Sequence, residues 1–410
     1  MSQTDKTIRT TCCVVGGGPA GMMLGMLLAR AGVDVTVLEK HGDFLRDFRG
    51  DTIHPSTLEL MYELGILEEF LHLPHQRLEQ VKVKIDDAEV AGPDFSRLPT
   101  HCKFLALMPQ WDFLNFLAAH AKRYPEFRLL MNTEAVAPIE KLGRIVGVET
   151  KTGHDALGDL NVYAELVVGA DGRGSILRER AGMEVEDFGV PIDVLWFRVA
   201  KTAADPEPAL GRIRNGKFMI MIDRGDYYQC GSIIRKGAFA DIKNRGLEAF
   251  RKEIVQIVPF LASSIDAIDD WEKVKLLSVQ VNRLRRWYRP GLLFIGDAAH
   301  AMSPAGGVGI NLAIQDAVAT ANLLADKLRR GNCEIDDLRQ VQERREWPAR
   351  KIQEIQVFLH RQTFRSQSDP ERAMTLSWPV RSLLWLLTPV IRRVAARVVG
   401  IGFRAEHIRT

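Results

Sequence analysis

The sequence contains no C-x-x-C, and its five cysteines (Cys12, Cys13, Cys102, Cys230 and Cys333) are odd in number and scattered. Neither a disulfide scaffold nor a cysteine-held metal site is expected, and a reducing, cytoplasmic setting follows. The polar stretch Met1–Thr11 lacks the apolar core of a secretory signal. No uncharged apolar run reaches about 18 residues, so no membrane-spanning helix is expected. An excess of one charge is lacking too: 55 basic residues face 52 acidic ones, a net +3, which argues against a strongly basic nucleic-acid binder. There is no internal repeat or low-complexity tract.

What is present is a 410-residue chain, 46% hydrophobic and 26% charged, long enough for one large composite unit or two to three domains. Thr11–Val15 reads as a short buried strand and Pro19–Ala31 as a helix. Between them runs Gly16-Gly17-Gly18-Pro19-Ala20-Gly21, a G-x-G-x-x-G. The first glycine permits a tight turn, the second lets backbone approach a pyrophosphate, and the third lets helix and strand pack closely. The helix N-terminus favours the phosphate charge. A second strand, Val33–Leu38, ends at Glu39 and Lys40, with Glu39 18 residues beyond Gly21. An acid there accepts from ribose hydroxyls and repels a 2′-phosphate. The unit predicts a dinucleotide but does not choose between FAD and NAD.

Two distant segments choose. Leu166–Val168 reads as a strand running into Gly169-Ala170-Asp171-Gly172-Arg173-Gly174-Ser175, with Arg178 one turn on. Gly291–Ile295 reads as another, ending in Gly296-Asp297-Ala298-Ala299-His300 and continuing through Ser303-Pro304-Ala305-Gly306-Gly307-Val308-Gly309-Ile310-Asn311 into a helix with Asp316. With these three motifs in this order, the chain resembles the single-component aromatic hydroxylases, the family of para-hydroxybenzoate hydroxylase and the ubiquinone-biosynthesis hydroxylases. The likeness runs from Thr11 to about Trp347.

The resemblance implies an α/β fold: a Rossmann-like, GR2-type FAD-binding domain with an inserted antiparallel β-sheet substrate domain and C-terminal helices. On that scheme, residues 7–75, 100–187 and 282–346 form a discontinuous FAD domain. Residues 76–99 and 188–281, where Val81–Ile85, Val194–Val199, Phe218–Ile222, Tyr227–Ile234 and Lys275–Val281 read as strands, form the substrate domain. Residues 347–410 form a helical tail.

The resemblance also implies site roles. Asp297 accepts from a ribitol hydroxyl. The Gly306–Gly309 turn starts a helix whose N–H groups and dipole face a reduced, anionic flavin. Asn311 bonds the pyrimidine edge, and Pro304 lines the space where oxygen and substrate meet, unless it is a plain loop proline. Arg49 matches a contact to the ADP part. Gln110 matches a ribitol contact for which the family often has arginine. Asp171-Gly172 and Arg178 match a motif tied to FAD and nicotinamide, and a helix N-cap and turn can hold there at the same time. His54 lies on a segment placed beside the flavin ring, either reaching substrate or packing the wall as a hydrogen-bonded histidine. Arg224 and Tyr228 fall in the substrate sheet; a solvated turn arginine and a sheet-packing tyrosine are the competing readings.

No second G-x-G-x-x-G leads into a helix and an acid. The nicotinamide is therefore expected to visit a surface groove, reduce the flavin and leave. The implied reaction uses NADPH or NADH and O2 to hydroxylate a small organic substrate, aromatic, phenolic or polyketide-like, through a flavin C4a-hydroperoxide. A reductase, oxidase or halogenase of the same fold is the alternative, although the halogenase segment W-x-W-x-I-P is absent. A monomer or homodimer is expected. Leu376–Gly400 places Leu383, Leu384, Leu387, Val390, Ile391, Val394 and Val398 at helical spacing, with Arg381, Arg392, Arg393 and Arg397. It reads as an internal strap broken by Pro379 and Pro389, or as a basic helix lying on a membrane.

Overall fold

The structure is a computed structural model that describes residues 6–45, 52–152, 160–206, 209–368 and 378–409. Five parallel strands form its main sheet: β1 (Lys6–Val15), β2 (Val35–Leu38), β3 (Phe127–Leu130), β4 (Leu160–Gly169) and β5 (Leu292–Phe294), in the spatial order β5-β4-β1-β2-β3. The apolar run Cys12–Val15 is buried on both faces, as a central parallel strand requires. An antiparallel hairpin, Thr133–Lys141 with Arg144–Thr152, extends the sheet from the first half of β4.

Helix α1 (Pro19–Arg30) is buried from Ala20 to Ala29. It opens on a proline, whose missing N–H has no helical partner at that position. It packs against the long helix α4 (Gly309–Arg329). By length and hydropathy the segment Ala305–Arg329 could cross a membrane, but 83% of its apolar window lies inside the protein: it is a core helix. Helices α2 (Pro55–Glu63) and α3 (Gln110–Ala121) complete this layer, and α5 (Ile335–Ser368) runs past α4.

A second sheet has seven strands in the order 275–278, 192–200, 227–235, 217–223, 211–214, 80–85 and 88–94. All neighbours are antiparallel except 211–214 with 80–85. One face, with Phe197, Met219, Tyr228 and Cys230, packs on the helix Leu247–Ile257. The other, with Val194, Trp196, Ile220 and Ile233, packs against Val357 of α5.

Helix α6 (Trp378–Gly400) is continuous, contrary to the expectation that its prolines divide it. Pro379 falls in the first turn, where its missing N–H is harmless. Pro389 lies inside the helix, where Thr388–Ile391 face solvent. The expected internal strap holds only for the last turns. Ala396 is buried and Val399 packs against Phe95 and Leu98, whereas Val390, Ile391 and Val394 are about half exposed.

Candidate active site

Four loops leave the carboxyl ends of adjacent parallel strands, the place where open α/β sheets bind ligands. β1 runs into Gly16–Gly18, β2 into Glu39, β4 into Ala170–Ser175 and β5 into Gly296–Asp297. They touch. A Cβ on Gly16 would lie 2.4 Å from the Ala170 carbonyl oxygen, and one on Gly296 3.2 Å from the Ala20 Cβ. Gly21 faces the Gly16 carbonyl so closely that a Cβ would sit 1.9 Å from it, which is why only glycine lets α1 pack here.

Gly18 is different. Its backbone (φ −72°, ψ −176°) suits any residue, and a Cβ there would meet no protein atom within 4 Å. The open space lies at the N-terminus of α1, beside Pro19, where a pyrophosphate would sit. The Glu39 carboxylate borders it, accepting from Gly17 N–H (3.0 Å) and His41 N–H (3.1 Å), while Lys40 is exposed. Residues and space fit an FAD.

On the third loop Ser175 caps the short helix Ile176–Arg180 by accepting from Arg178 N–H at 3.0 Å. Asp171 Oδ2 approaches Leu177 N–H (3.5 Å), and burial raises its pKa against those bonds. The loop thus caps a helix. Arg178 is committed to the protein, donating to the carbonyls of Arg173 (2.6 Å) and Ala298 (3.4 Å) and to Asn282 (3.3 Å). It ties the Asp171–Ser175 loop to the Asp297 loop instead of reaching out to a cofactor. Two polar atoms nearby, Asp171 Oδ1 and Arg173 Nη1, are buried without a protein partner among the described residues, as groups awaiting a polar ligand would be. Gly172 leaves open space around its α-carbon. Asp297 is part-exposed and pairs with Arg173 Nη2 at 3.3 Å.

The fifth segment turns through two left-handed glycines, Gly306 (φ 79°) and Gly307 (φ 64°), to place Val308, Gly309 and Ile310 at the start of α4. The first-turn N–H groups have no partner inside the helix and stand ready for a flavin edge. Asn311 departs from expectation. Its Oδ1 accepts from Ser56 Oγ (2.7 Å) and Thr57 Oγ1 (3.1 Å), so its side chain fastens α4 to α2 and does not face a pyrimidine.

His54 is also corrected. It is fully buried, with Nδ1 2.7 Å from Val399 O and Nε2 3.0 Å from Gly307 O. Burial lowers its pKa against the two carbonyl bonds. It joins the flavin-edge turn to α6, with both ring nitrogens taken up by backbone carbonyls.

Tyr228 points to the far side of its sheet. Burial raises its pKa to about 12, and its hydroxyl approaches Pro206 O (3.4 Å), so it is a packing residue. Arg224, at the turn before Tyr227, donates to Gln229 Oε1 (3.2 and 3.3 Å). Its charge offsets part of the burial that raises Asp112, two residues beyond Gln110 at the start of α3. The Arg224 charge therefore lies near the start of α3. Arg49 lies outside the described residues.

The sequence reading missed the support. Asp316, at the second turn of α4, accepts from Gly296 N–H (3.0 Å), His300 Nε2 (2.6 Å) and Arg345 Nε (2.9 Å). From α5, Gln353 bonds the carbonyls of Asn282 and Ala301, and Gln356 and His360 bond the Ser303–Ala305 turn. Their signal was a buried helical stripe at 345, 349, 353, 356 and 360 that is polar at every position but Ala349.

A family model described as an FAD binding domain matches residues 9–354. The chain is 32% identical over 403 residues to 6-methylpretetramide 4-monooxygenase of Streptomyces rimosus, covering 98% of this chain and 94% of that protein. It is 27% identical over 311 residues to an uncharacterized aromatic compound monooxygenase, YhjG, of Bacillus subtilis, covering 74% of this chain and 59% of the other. Its fold matches that of the anhydrotetracycline hydroxylase OxyS of Streptomyces rimosus with a TM-score of 0.74 at 20% identity, over 96% of this chain and 76% of that one. With the family model and the first relative both spanning most of its length, and with an open dinucleotide cradle at the sheet's carboxyl edge, the chain belongs to the FAD-dependent aromatic monooxygenases, enzymes that use a reduced nicotinamide and O2.

Proposed function

We propose that the chain hydroxylates an aromatic, polyketide-like substrate. The observation that carries this is near-full-length identity to a relative named for oxygenating 6-methylpretetramide. The sheet face with Trp196, Ile220 and Ile233 supports it, being largely apolar. It packs on Val357, the neighbour of the Gln356 that holds Ser303.

Bound FAD supplies the redox chemistry, taking hydride from NAD(P)H and activating O2. The chain supplies the rest. Gly16–Gly21 with the α1 N-terminus would hold the pyrophosphate, Glu39 the ribose and Asp297 the ribitol. The α4 N-terminus, Val308–Ile310, would stabilise negative charge on the reduced ring. The Pro304 turn and the apolar sheet face exclude water. Arg224, held by Gln229, would meet a phenolic oxygen of the substrate.

The protein should purify yellow, bleach anaerobically with NADPH or NADH, and, in air, incorporate one atom from 18O2 into a substrate drawn from phenols, quinone precursors and polycyclic polyketides. Comparing the two bleaching rates decides the nicotinamide preference. Reduction with label-free products across the panel would overturn the hydroxylase reading in favour of an oxidase.

We infer also that α6 rests on an anionic membrane surface. Val390 (54% exposed), Ile391 (49%) and Val394 (57%) form an outward stripe beside exposed Arg393 and Arg397. The sequence from 372 to 405 has six arginines and no acid. Each such charge is worth about 1 kcal/mol near anionic lipid. The protein should sediment with anionic vesicles at low salt, be released as salt rises, and ignore neutral vesicles. Protein that stays in solution with anionic vesicles at low salt ends this reading.

A further inference from the structure

Helix α5 lies outside every motif that identifies the site, yet it carries the densest set of bonds to the turn that bears Pro304. Gln356 Oε1 accepts from Ser303 N–H at 3.0 Å, and its Nε2 donates to the carbonyls of Ser303 (3.0 Å) and Ala305 (3.0 Å). One amide thereby meets one donor and two acceptors within three residues. One helical turn on, His360 Nε2 lies 2.6 Å from Ser303 Oγ, which in turn accepts from Ala305 N–H at 3.2 Å. Gln356, His360 and Ser303 are all buried. The far end of the same turn is pinned separately, where Gly307 O accepts from Thr52 Oγ1 (3.4 Å) and faces His54 Nε2 (3.0 Å). Between the two anchorages stands Pro304.

Stability alone does not require this arrangement, because a turn at the mouth of a site could leave its carbonyls to water. Here water is replaced by fixed side chains on a rigid helix, which is how a reactive geometry is held within a fraction of an ångström. We propose that Gln356 and His360 are positioning residues: by fixing the Ser303–Ala305 turn they keep water from the flavin and decide whether reducing equivalents reach substrate. Two outcomes compete at such a site. In one, NAD(P)H, H+, O2 and R–H give NAD(P)+, R–OH and H2O. In the other, NAD(P)H, H+ and O2 give NAD(P)+ and H2O2. A loosened turn admits water and favours the second. The proposal rests on the monooxygenase reading, but the motion of the turn can be read without a substrate.

The test uses FAD-loaded Gln356→Met, which keeps the side chain's length and removes all three bonds. Bound FAD and the rate of flavin reduction should stay within about twofold of wild type, while hydroxylated product per NAD(P)H falls roughly fivefold or more and H2O2 rises to match. Amide hydrogen exchange across 301–309 of the oxidised holoenzyme should speed up by about tenfold, the factor set by roughly 1.4 kcal/mol of lost hydrogen bonding. Ser303→Ala removes only the hydroxyl bridge and should shift both readings the same way by less; it carries the test if Gln356→Met does not fold. Unchanged exchange and unchanged product yield in either folded variant overturn the proposal. So does faster exchange with product yield intact, which would leave the bonds a purely structural role. Faster exchange in the variants, together with a wild-type protein that hydroxylates nothing, would instead count against the monooxygenase reading alone.

Discussion

Gly18→Val should give a soluble, folded and colourless protein. The backbone at Gly18 is extended and a Cβ meets no protein atom within 4 Å, so valine costs the fold little. The space it fills is the space a pyrophosphate needs at the α1 N-terminus. We expect FAD affinity to fall at least about 100-fold, roughly 2.8 kcal/mol, with the circular dichroism and urea midpoint of the apoprotein unchanged. Gly21→Val is the contrasting substitution. Its Cβ would sit 1.9 Å from the Gly16 carbonyl, so it should fail to fold instead of folding without colour. A yellow Gly18→Val protein with wild-type FAD content would show that the pyrophosphate lies elsewhere.

Arg345→Met should cost about 3–5 kcal/mol of stability, the usual result of stranding a buried charge. Arg345 is fully buried, with Nε 2.9 Å from Asp316 Oδ1 and Nη1 3.2 Å from Arg404 O and 3.5 Å from Glu406 Oε1. Methionine fills similar volume but leaves the Asp316 carboxylate without its cation. That carboxylate also holds Gly296 N–H, next to Asp297, so FAD binding should weaken with stability. Glu406 keeps Arg344, at 2.6 Å.

The pH dependence has a definite sign. Burial pushes the Asp316 pKa up, but His300 and Arg345 outweigh it and the net shift is downward. A depressed carboxylate contributes stability that is fully present above the unfolded value, about 3.9, and is lost as pH falls through the lower folded value. Without Arg345 the burial effect gains ground, so acid unfolding should begin at higher pH in the variant. Urea midpoints measured from pH 8 downward check both parts. A variant within about 1 kcal/mol of wild type, with the same acid limb, would show that Asp316 does not depend on Arg345 for compensation of its charge.

The parts of the fold legible beforehand were those whose local pattern has one interpretation. Strand–glycine loop–helix at Thr11–Ala31 could hardly be anything else, and the predicted strands of the second sheet lie within a few residues of those observed. The strands Ala88–Asp94 and Gly211–Arg214, the hairpin Thr133–Thr152, and the continuity of α6 were not legible. Ala88–Asp94 carries a glycine and a proline, and Gly211–Arg214 alternates arginine with small or apolar residues, so neither has a strand signature of its own. Both exist because a neighbour supplies the ladder.

Side-chain roles divided in the same way. A backbone motif states its function where it stands, because a glycine turn or a helix N-terminus presents N–H groups whatever surrounds it. The sequence alone therefore determined the class of fold, the cofactor and the four loops that converge on it. Which way a polar side chain points is settled by what lies across from it, often hundreds of residues away. His54 turned to Val399 and Gly307, Asn311 to Ser56 and Thr57, and Arg178 to carbonyls of its own loops. Buried polar groups must find partners or pay for their desolvation, and the nearest partner was protein in each case. Only the tertiary structure decided those orientations, and only it showed that α5, silent in every motif, grips the turn at the centre of the site.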